Sequence, residues 1–200
     1  MSDSVVWIVD DDEAVCDSIG LLLKTVGLRA ETFPDGRSFL EEFDDELPGC
    51  VVVDLRMPGM SGLELQEALH KMHSMVPVIF ITGHGTVDSA VHAMRLGAID
   101  FLQKPFDDQE LLDTIQRAIR VDRESRDSLS EREKLTQRYD TLTNREREVM
   151  ALVVEGHANK VMAYDLGVSE RTIEIHRSRV MKKMEANSLP HLVRMALMLK

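Results

Sequence analysis

Short runs of apolar, mostly β-branched residues alternate with amphipathic stretches through the first 120 residues of the chain. This alternation predicts βαβ units, in which parallel strands form one sheet and the connecting helices cover both of its faces. Strands are predicted at Val5–Val9, Leu28–Phe33, Val51–Asp54, Val78–Thr82 and Ala98–Leu102, and helices near Ala14–Val26, Gly62–Met72, Val87–Leu96 and Asp108–Arg120.

The predicted fold class of this region is therefore α/β, with a doubly wound, five-stranded parallel sheet. The second strand, Leu28–Phe33, has the weakest signal, because apolar and polar residues alternate along it. That alternation is typical of a strand with one exposed face, so we place it at an edge of the sheet.

Composition excludes membrane and secreted proteins. The chain is 44% apolar and 30% charged, as in soluble globular proteins, and no uninterrupted apolar run could cross a bilayer. The segment before Val5 has no basic residues, and acids end the apolar run after Val9, which argues against a signal peptide. We expect a cytoplasmic protein without a membrane partner. Cys16 and Cys50 lack metal-ligand spacing and are predicted to be reduced core thiols.

Charge divides the chain into three regions. Residues 1–120 contain 9 Lys and Arg against 22 Asp and Glu, residues 121–140 contain 5 against 6, and residues 141–200 contain 10 against 7. An acidic domain followed by a basic one indicates that only the C-terminal region meets a polyanion such as DNA. We predict an N-terminal domain over residues 1–120, a linker over 121–140 and a second domain over 141–200.

The predicted linker has no glycine or proline, and its charges of both signs recur at helical spacing. These features favour a solvated helix over a flexible tether. The leucines at 129, 135 and 142 are too sparse to predict a coiled coil.

The C-terminal region has an all-helical pattern interrupted by two glycines. Thr143 and Glu146 form a capping-box signature, and Gly156 and Gly167 supply the turns. Four helices are predicted, at residues 143–155, 160–166, 169–186 and 189–199. Two helices joined by a glycine turn in a basic domain predict a helix-turn-helix.

Polar residues follow the predicted strands at the edge where open α/β sheets carry their chemistry. They are Asp10, Asp11, Asp54, Thr82 and Lys104. Clustered carboxylates favour a hard cation, and Mg²⁺ uses one or two carboxylates while it keeps several waters. A lysine and a hydroxyl beside them supply the charge and positioning that phosphoryl transfer needs, and a carboxylate can act as the nucleophile.

Four motifs in this region resemble those of two-component response-regulator receiver domains. They are Asp10-Asp11, the segment Asp54–Gly62, the segment Ile81–Gly85 and Lys104-Pro105-Phe106. The C-terminal segments Leu142–Val149 and Leu166–Arg177 resemble the LuxR-type DNA-binding domain. The combination is identified as that of the NarL/FixJ family, and it is most similar to the FixJ branch.

This resemblance implies a role for each matching residue of the receiver. Asp54 would accept the phosphoryl group, and Thr82 and Lys104 would hold its oxygens. Mg²⁺ would be bound by Asp11 directly, by Asp10 through water, by Asp54 and by the backbone carbonyl of Arg56. Phe101 matches the aromatic switch position, whereas His84 receives no role. The Lys104-Pro105 peptide bond resembles one that the family holds in the cis form.

The resemblance also implies partners. A sensor histidine kinase would donate the phosphoryl group, and phosphorylation would promote pairing of two copies through the face at about Val87–Phe101. The dimer would bind a double-stranded DNA operator with two half-sites, and RNA polymerase is a further candidate partner. We expect a phosphoryl acceptor with self-dephosphorylation rather than an enzyme acting on external substrates.

Other functions fit the sequence less well. The main alternative is a DNA-binding regulator controlled by a protein partner without phosphorylation, but the complete set of strand-end residues argues against it. An aspartate-nucleophile phosphatase would need a cap domain or substrate pocket, and none is visible in the first 120 residues. An RNA-binding scaffold would need exposed aromatic residues, which make up only 4% of the chain.

The third C-terminal helix is the candidate for DNA recognition. Ile173, Val180 and Met184 have the spacing of a buried stripe, so the opposite face would enter the major groove. By family analogy, Glu174, Ile175 and Ser178 are the candidates for base edges. The candidates for phosphate contacts are Lys160, Arg171, Thr172, Arg177, Arg179, Lys182 and Lys183. The sequence departs from the family pattern at Val161, where a glutamate is commoner.

Overall fold

The computed structural model describes residues 4–83 and 87–199. The chain divides into two compact units, Met1–Arg126 and Asp127–Lys200. Within the described residues, no helix is both long and apolar enough to cross a membrane.

The first unit is an α/β domain, which confirms the predicted fold class. Its described residues form a five-stranded parallel sheet in the order β2-β1-β3-β4-β5. The strands are β1 (Val5–Val9), β2 (Arg29–Phe33), β3 (Gly49–Asp54), β4 (Val78–Thr82) and β5 (Asp100–Gln103). The helices are α1 (Glu13–Thr25), α2 (Gly36–Glu42), α3 (Gly62–Lys71), α4 (Val87–Arg95) and α5 (Asp108–Asp140).

Burial explains the strength of each strand signal. All residues of β1, β3 and β4 are buried, as expected for inner strands covered on both faces. The partly exposed β2 lies at one edge, where the sequence places it. Cys16 and Cys50 are buried free thiols, as predicted, and burial raises the pKa of Cys16 to about 11.

Helix α2 is missing from the sequence-based prediction. Asp35 caps it by accepting hydrogen bonds from the amides of Arg37 and Ser38 at 2.8 and 2.9 Å. Phe39 is fully buried and lies edge-on to Trp7, with ring centroids 6.4 Å apart. This helix of seven residues has too few turns for a clear helical period, so its Asp35 cap is the sequence signal that could have predicted it.

Helix α5 continues through all of residues 121–140. Its segment just after Arg120 is held within the first unit by the buried Asp122. The Asp122 carboxylate accepts a hydrogen bond from the Gly49 amide at 2.9 Å. Arg126 donates from Nε to Asp122 at 2.8 Å and from Nη1 to the Asp45 carbonyl at 2.7 Å. The first residues of the predicted linker are thus anchored to the start of β3, a tertiary contact that local charge patterning does not reveal.

The second unit is all-helical. Its helices beyond α5 are α6 (Asn144–Val154), α7 (Asn159–Asp165), α8 (Glu170–Lys183) and α9 (Leu189–Met198). The capping box of Thr143 and Glu146 is present, as predicted. Helix α8 ends at Lys183 rather than at Ala186, because Glu185 adopts a left-handed φ of 54° that a helix cannot continue through.

Candidate functional site

Two acids and a lysine meet at the carboxyl edge of the first unit's sheet. Val9 of β1 pairs with Val53 of β3, so the next residues, Asp10 and Asp54, lie side by side. Lys104, just beyond β5, lies with its Nζ 2.6 Å from Asp10 Oδ2 and 2.8 Å from Asp54 Oδ1. The structure thus brings together three of the five strand-end residues singled out by the sequence.

This buried group contains two carboxylates, those of Asp10 and Asp54, but only one ammonium, that of Lys104. Asp10 is 2% exposed and Asp54 is 7% exposed. Burial raises the pKa of Asp10, although the hydrogen bond from Lys104 acts in the opposite direction. Burial also disfavours the Lys104 ammonium, but its hydrogen bonds to Asp10 and Asp54 raise its pKa overall. One ammonium therefore shares its charge between two carboxylates.

The backbone around Asp54 is fixed by its neighbours. The Arg56 amide donates to Asp54 Oδ2 at 2.6 Å, and the Leu55 amide donates to the Ile81 carbonyl at 3.0 Å. Helix α3 begins close behind, because a Cβ on Gly62 would lie 2.4 Å from the Asp54 carbonyl oxygen. Only glycine permits this approach, so Gly62 helps to set the position of the Asp54 carboxylate.

Thr82 and Phe101 lie on the neighbouring strands. Thr82 is buried at the end of β4, and its carbonyl accepts the Lys104 amide at 2.7 Å. Phe101 is half-buried on β5 opposite Phe80, with ring centroids 6.3 Å apart. The Lys104-Pro105 bond is cis, as the resemblance predicts. His84 lies outside the described residues.

Asp11 stands apart from this buried group. It is exposed, and with Asp10 and Cys16 it lines a cavity of about 360 Å³. Asp12 caps α1 by accepting the Ala14 amide at 3.0 Å. Among the residues that the structure describes, no three His, Cys, Asp or Glu side chains converge as a metal-binding group. Asp10 and Asp54 meet through Lys104, and Asp11 does not complete a three-carboxylate cluster with them.

In the second unit, α8 has the two faces that its sequence predicts. Ile173, Val180 and Met184 are buried. The opposite side exposes six of the predicted DNA contacts, namely Arg171, Glu174, Ile175, Ser178, Arg179 and Lys182. Lys160 is exposed on α7, as are Val161 and Tyr164, the latter with 87% of its surface.

Four of the predicted phosphate contacts also have partners within the unit, and the longest of these contacts is the exposed pair of Arg171 Nη1 with Glu174 Oε2 at 3.5 Å. Arg177 is half-buried, and its Nη1 donates to Asn159 Oδ1 at 2.6 Å, which holds α8 against the start of α7. The Thr172 hydroxyl lies 2.8 Å from Ser169 Oγ. Lys183 donates to the buried Glu146 at 2.6 Å. Asn159 is therefore a positioning residue that the sequence did not reveal, since its role depends on a residue 18 positions away.

Glu146 connects the capping box of α6 to the end of α8. It accepts the Thr143 amide at 2.9 Å as well as the Lys183 ammonium. The hydrogen bond from Lys183 lowers the pKa of this carboxyl. Lys183 also donates to the Thr141 carbonyl at 2.9 Å, so this pair fixes the C-terminal end of α8.

Comparison with known proteins matches both units. Residues 6–116 match the family model of the response regulator receiver domain, and residues 140–196 match that of bacterial regulatory proteins of the luxR family. The transcriptional regulatory protein FixJ of Rhizobium meliloti is 45% identical over 197 residues, which cover 98% of this chain and 97% of FixJ. The response regulator protein TodT of Pseudomonas putida is 39% identical, covering 100% of this chain and 89% of TodT.

Solved structures give the same result. The response regulator StyR matches with a TM-score of 0.89 and 41% identity, over 98% of both chains. Full-length FixJ from B. japonicum matches with a TM-score of 0.61 and 40% identity, over 100% of this chain and 98% of that one.

Proposed function

Because this chain belongs to the response regulators that join a receiver domain to a LuxR-type DNA-binding domain, we propose that phosphorylation of Asp54 controls its binding to DNA. Membership of this family makes it a transcription regulator with a sensor kinase and DNA as partners. The observation that carries the proposal is the placement of the Asp54 carboxylate, which lies at the carboxyl end of β3, 2.8 Å from the Lys104 ammonium.

The chemistry is a single phosphoryl transfer. An Asp54 carboxylate oxygen attacks the phosphorus of a phosphohistidine on the kinase, the P–N bond breaks, and an acyl phosphate forms. Lys104 supplies positive charge to the equatorial oxygens, and the Thr82 hydroxyl supplies a donor. The chain accepts and later loses this group by hydrolysis, and it does not turn over external substrates.

The residues of the site fit Mg²⁺, which receiver domains generally bind at the phosphorylation site. The fit rests on charge and donor type, because two buried carboxylates share one ammonium and Mg²⁺ needs only one or two carboxylates besides water. Asp11, Asp54 and the Arg56 carbonyl would hold the ion directly and Asp10 would hold it through water, which requires the exposed Asp11 to turn toward the buried group. When bound, Mg²⁺ supplies charge neutralisation on the transferred phosphoryl group.

Control of DNA binding would follow from dimerisation. Phosphorylation adds local charge beside Thr82 and Phe101, and it biases the face at about Val87–Phe101 toward pairing with a second copy. Two copies would then place two α8 helices in successive major grooves of an operator. Couplings of this kind are typically about 1–3 kcal/mol, so phosphorylation shifts the population of dimers. RNA polymerase would be engaged by the DNA-bound dimer.

The test combines phosphoryl incorporation with molar mass. The protein is incubated with Mg²⁺ and radiolabelled acetyl phosphate, and its mass is measured by light scattering. We expect incorporation and a shift toward dimer in the wild type and in the exposed control Asp113→Asn, with neither in Asp54→Asn.

Two results would contradict the proposal. Wild-type protein that incorporates no phosphate would favour a regulator controlled by a protein partner. Incorporation without a change in mass would remove dimerisation from the mechanism.

A further inference from the structure

The second unit contains a cavity of about 380 Å³ where the end of α5, α6 and α9 meet. Most of its wall is apolar and is formed by Met150, Ala151, Val154, Ala196 and Leu199. No residue of α8 lines it, so the cavity is separate from the DNA-recognition face. Its size and apolar lining are those of pockets that enclose small organic molecules.

Arg147 adds one cationic group to this apolar wall. Its guanidinium carbon lies 4.8 Å from the centre of the Tyr139 ring, which also lines the cavity. The Arg147 Nε is buried and has no hydrogen-bond partner among the described residues. Its Nη2 makes two long contacts with Asp140, at 3.4 Å to the backbone carbonyl and 3.4 Å to Oδ1, and the Asp140 side chain is 67% exposed. Arg147 therefore keeps hydrogen-bonding capacity for another acceptor.

The acidic residue of the cavity does not cancel this charge. Glu155 lies at its rim with a side chain that is 64% exposed, and it is 3.3 Å from His157 Nε2. Water and His157 therefore solvate the Glu155 carboxylate, whereas the Arg147 guanidinium is partly shielded by the Tyr139 ring. The polar end of a ligand would meet a cation, and the rest of it would meet apolar side chains.

We propose that this cavity binds a small monocarboxylate with an apolar body, aliphatic or aromatic. The carboxylate would accept hydrogen bonds from Arg147, because the planar guanidinium matches the two oxygens of a carboxylate. The apolar body would contact Met150 and Ala196. This site is independent of the phosphorylation site, and it lies against the end of α5.

The test uses the full chain with ¹³C-labelled methionine methyl groups. Decanoate and 2-naphthoate are titrated separately, with decanol as the uncharged counterpart of decanoate. We expect at least one acid to shift the Met150 methyl resonance saturably while Met57 and Met60 of the receiver stay unchanged. Decanol should bind at least tenfold more weakly than decanoate if decanoate is the acid that binds, because it cannot form the charged contact.

Three variants locate the site. Arg147→Met should weaken binding of the acid at least tenfold, whereas Arg120→Met, an exposed arginine of the other unit, should leave it unchanged. Ala151→Phe fills the cavity from its rim and should abolish the Met150 shift, which keeps the proposal testable if Arg147→Met fails to fold. The proposal is overturned if neither acid gives a saturable shift, if all methionines shift together, or if Ala151→Phe binds like the wild type.

Discussion

Lys104 places one ammonium between two buried carboxylates, so the strand edge holds more negative than positive charge when both acids are ionised. The carboxylates remain there because the backbone fixes them, through the β1–β3 register and the close approach of Gly62 to Asp54. This arrangement opposes folding and favours reaction with an electrophile or a cation. Its energetic cost can be measured by removing one of the charges.

We expect Asp10→Asn to stabilise the first unit by about 1 kcal/mol at pH 7, because it removes a buried charge that Lys104 only partly compensates. The pKa of Asp10 is raised in the folded protein, so ionisation costs stability as pH rises through that pKa. The gain should therefore be full at neutral pH and should vanish as pH falls below the ordinary value of 3.8. Urea titrations followed by Trp7 fluorescence measure it. A less stable variant at pH 7 would show that the Lys104–Asp10 pair is net favourable.

The stability contribution of the Glu146 carboxylate changes with pH in the opposite direction to that of Asp10. Its hydrogen bond from Lys183 lowers its pKa, so its contribution is present above the ordinary value of 4.5 and is lost as pH falls through the lower folded value. We expect Glu146→Gln to destabilise the second unit by about 1–3 kcal/mol at pH 7, and the difference from wild type to shrink under acid.

Amide exchange of α8 would measure this difference. Glu148→Gln is the matched control, because Glu148 forms an exposed pair with Arg145 and such pairs contribute about 0–1 kcal/mol. Equal effects of the two variants would exclude the proposed link between α6 and α8.

Helix α5 is held to the first unit by hydrogen bonds of its Asp122 side chain, which should contribute to the stability of that unit. Asp122 satisfies the Gly49 amide and Arg126 at once. We expect Asp122→Ala to destabilise the first unit by about 1–3 kcal/mol, because it leaves the buried Gly49 amide without an acceptor, while the half-buried Arg126 keeps only its bond to the Asp45 carbonyl. Urea unfolding with Trp7 fluorescence measures this, and Asp127→Ala, at an exposed position five residues on, should have little effect. A small change in Asp122→Ala would show that solvent replaces the carboxylate.

Periodicity predicts the long elements of this fold and misses what depends on few residues. β1, β3 and β4 are apolar runs, and α6 and α8 carry their N-terminal caps in the sequence, so the sequence predicts that all five exist and where α6 and α8 begin. Glycine turns mark the short α7 on both sides, whereas no glycine turn marks the end of the equally short α2, which the sequence pattern does not predict. The predicted end of α8 is wrong because the backbone of Glu185 is left-handed. The closeness of Asp10 and Asp54 is predictable, because the carboxyl ends of parallel strands meet at one edge of the sheet. The Asn159–Arg177 bond and the Asp122 anchor do not, since they join residues that only the folded chain brings together.

Across the whole molecule, only the C-terminal region, residues 141–200, has a net positive charge. The chain has a formal net charge of −11, so DNA affinity has to arise locally and should fall steeply with salt. We expect Lys160→Gln to weaken binding to all sequences alike and to reduce the slope of log K against log[salt] by about one. Lys71→Gln, at an exposed receiver position, should leave the slope unchanged. Fluorescence anisotropy with a labelled duplex measures both, and equal slopes for all three proteins would exclude a phosphate contact at Lys160.

The tryptophan and the tyrosines lie in different units, so fluorescence of the intact chain can follow the unfolding of each unit separately. Trp7, the single tryptophan, is buried in the first unit, whereas Tyr139 and Tyr164, the two tyrosines, belong to the second. Emission excited at the red edge, where only indole absorbs, follows unfolding of the receiver. Tyrosine emission follows the DNA-binding unit. Denaturation of the unlabelled chain, with and without phosphorylation, can therefore report whether phosphorylation of one unit changes the stability of the other.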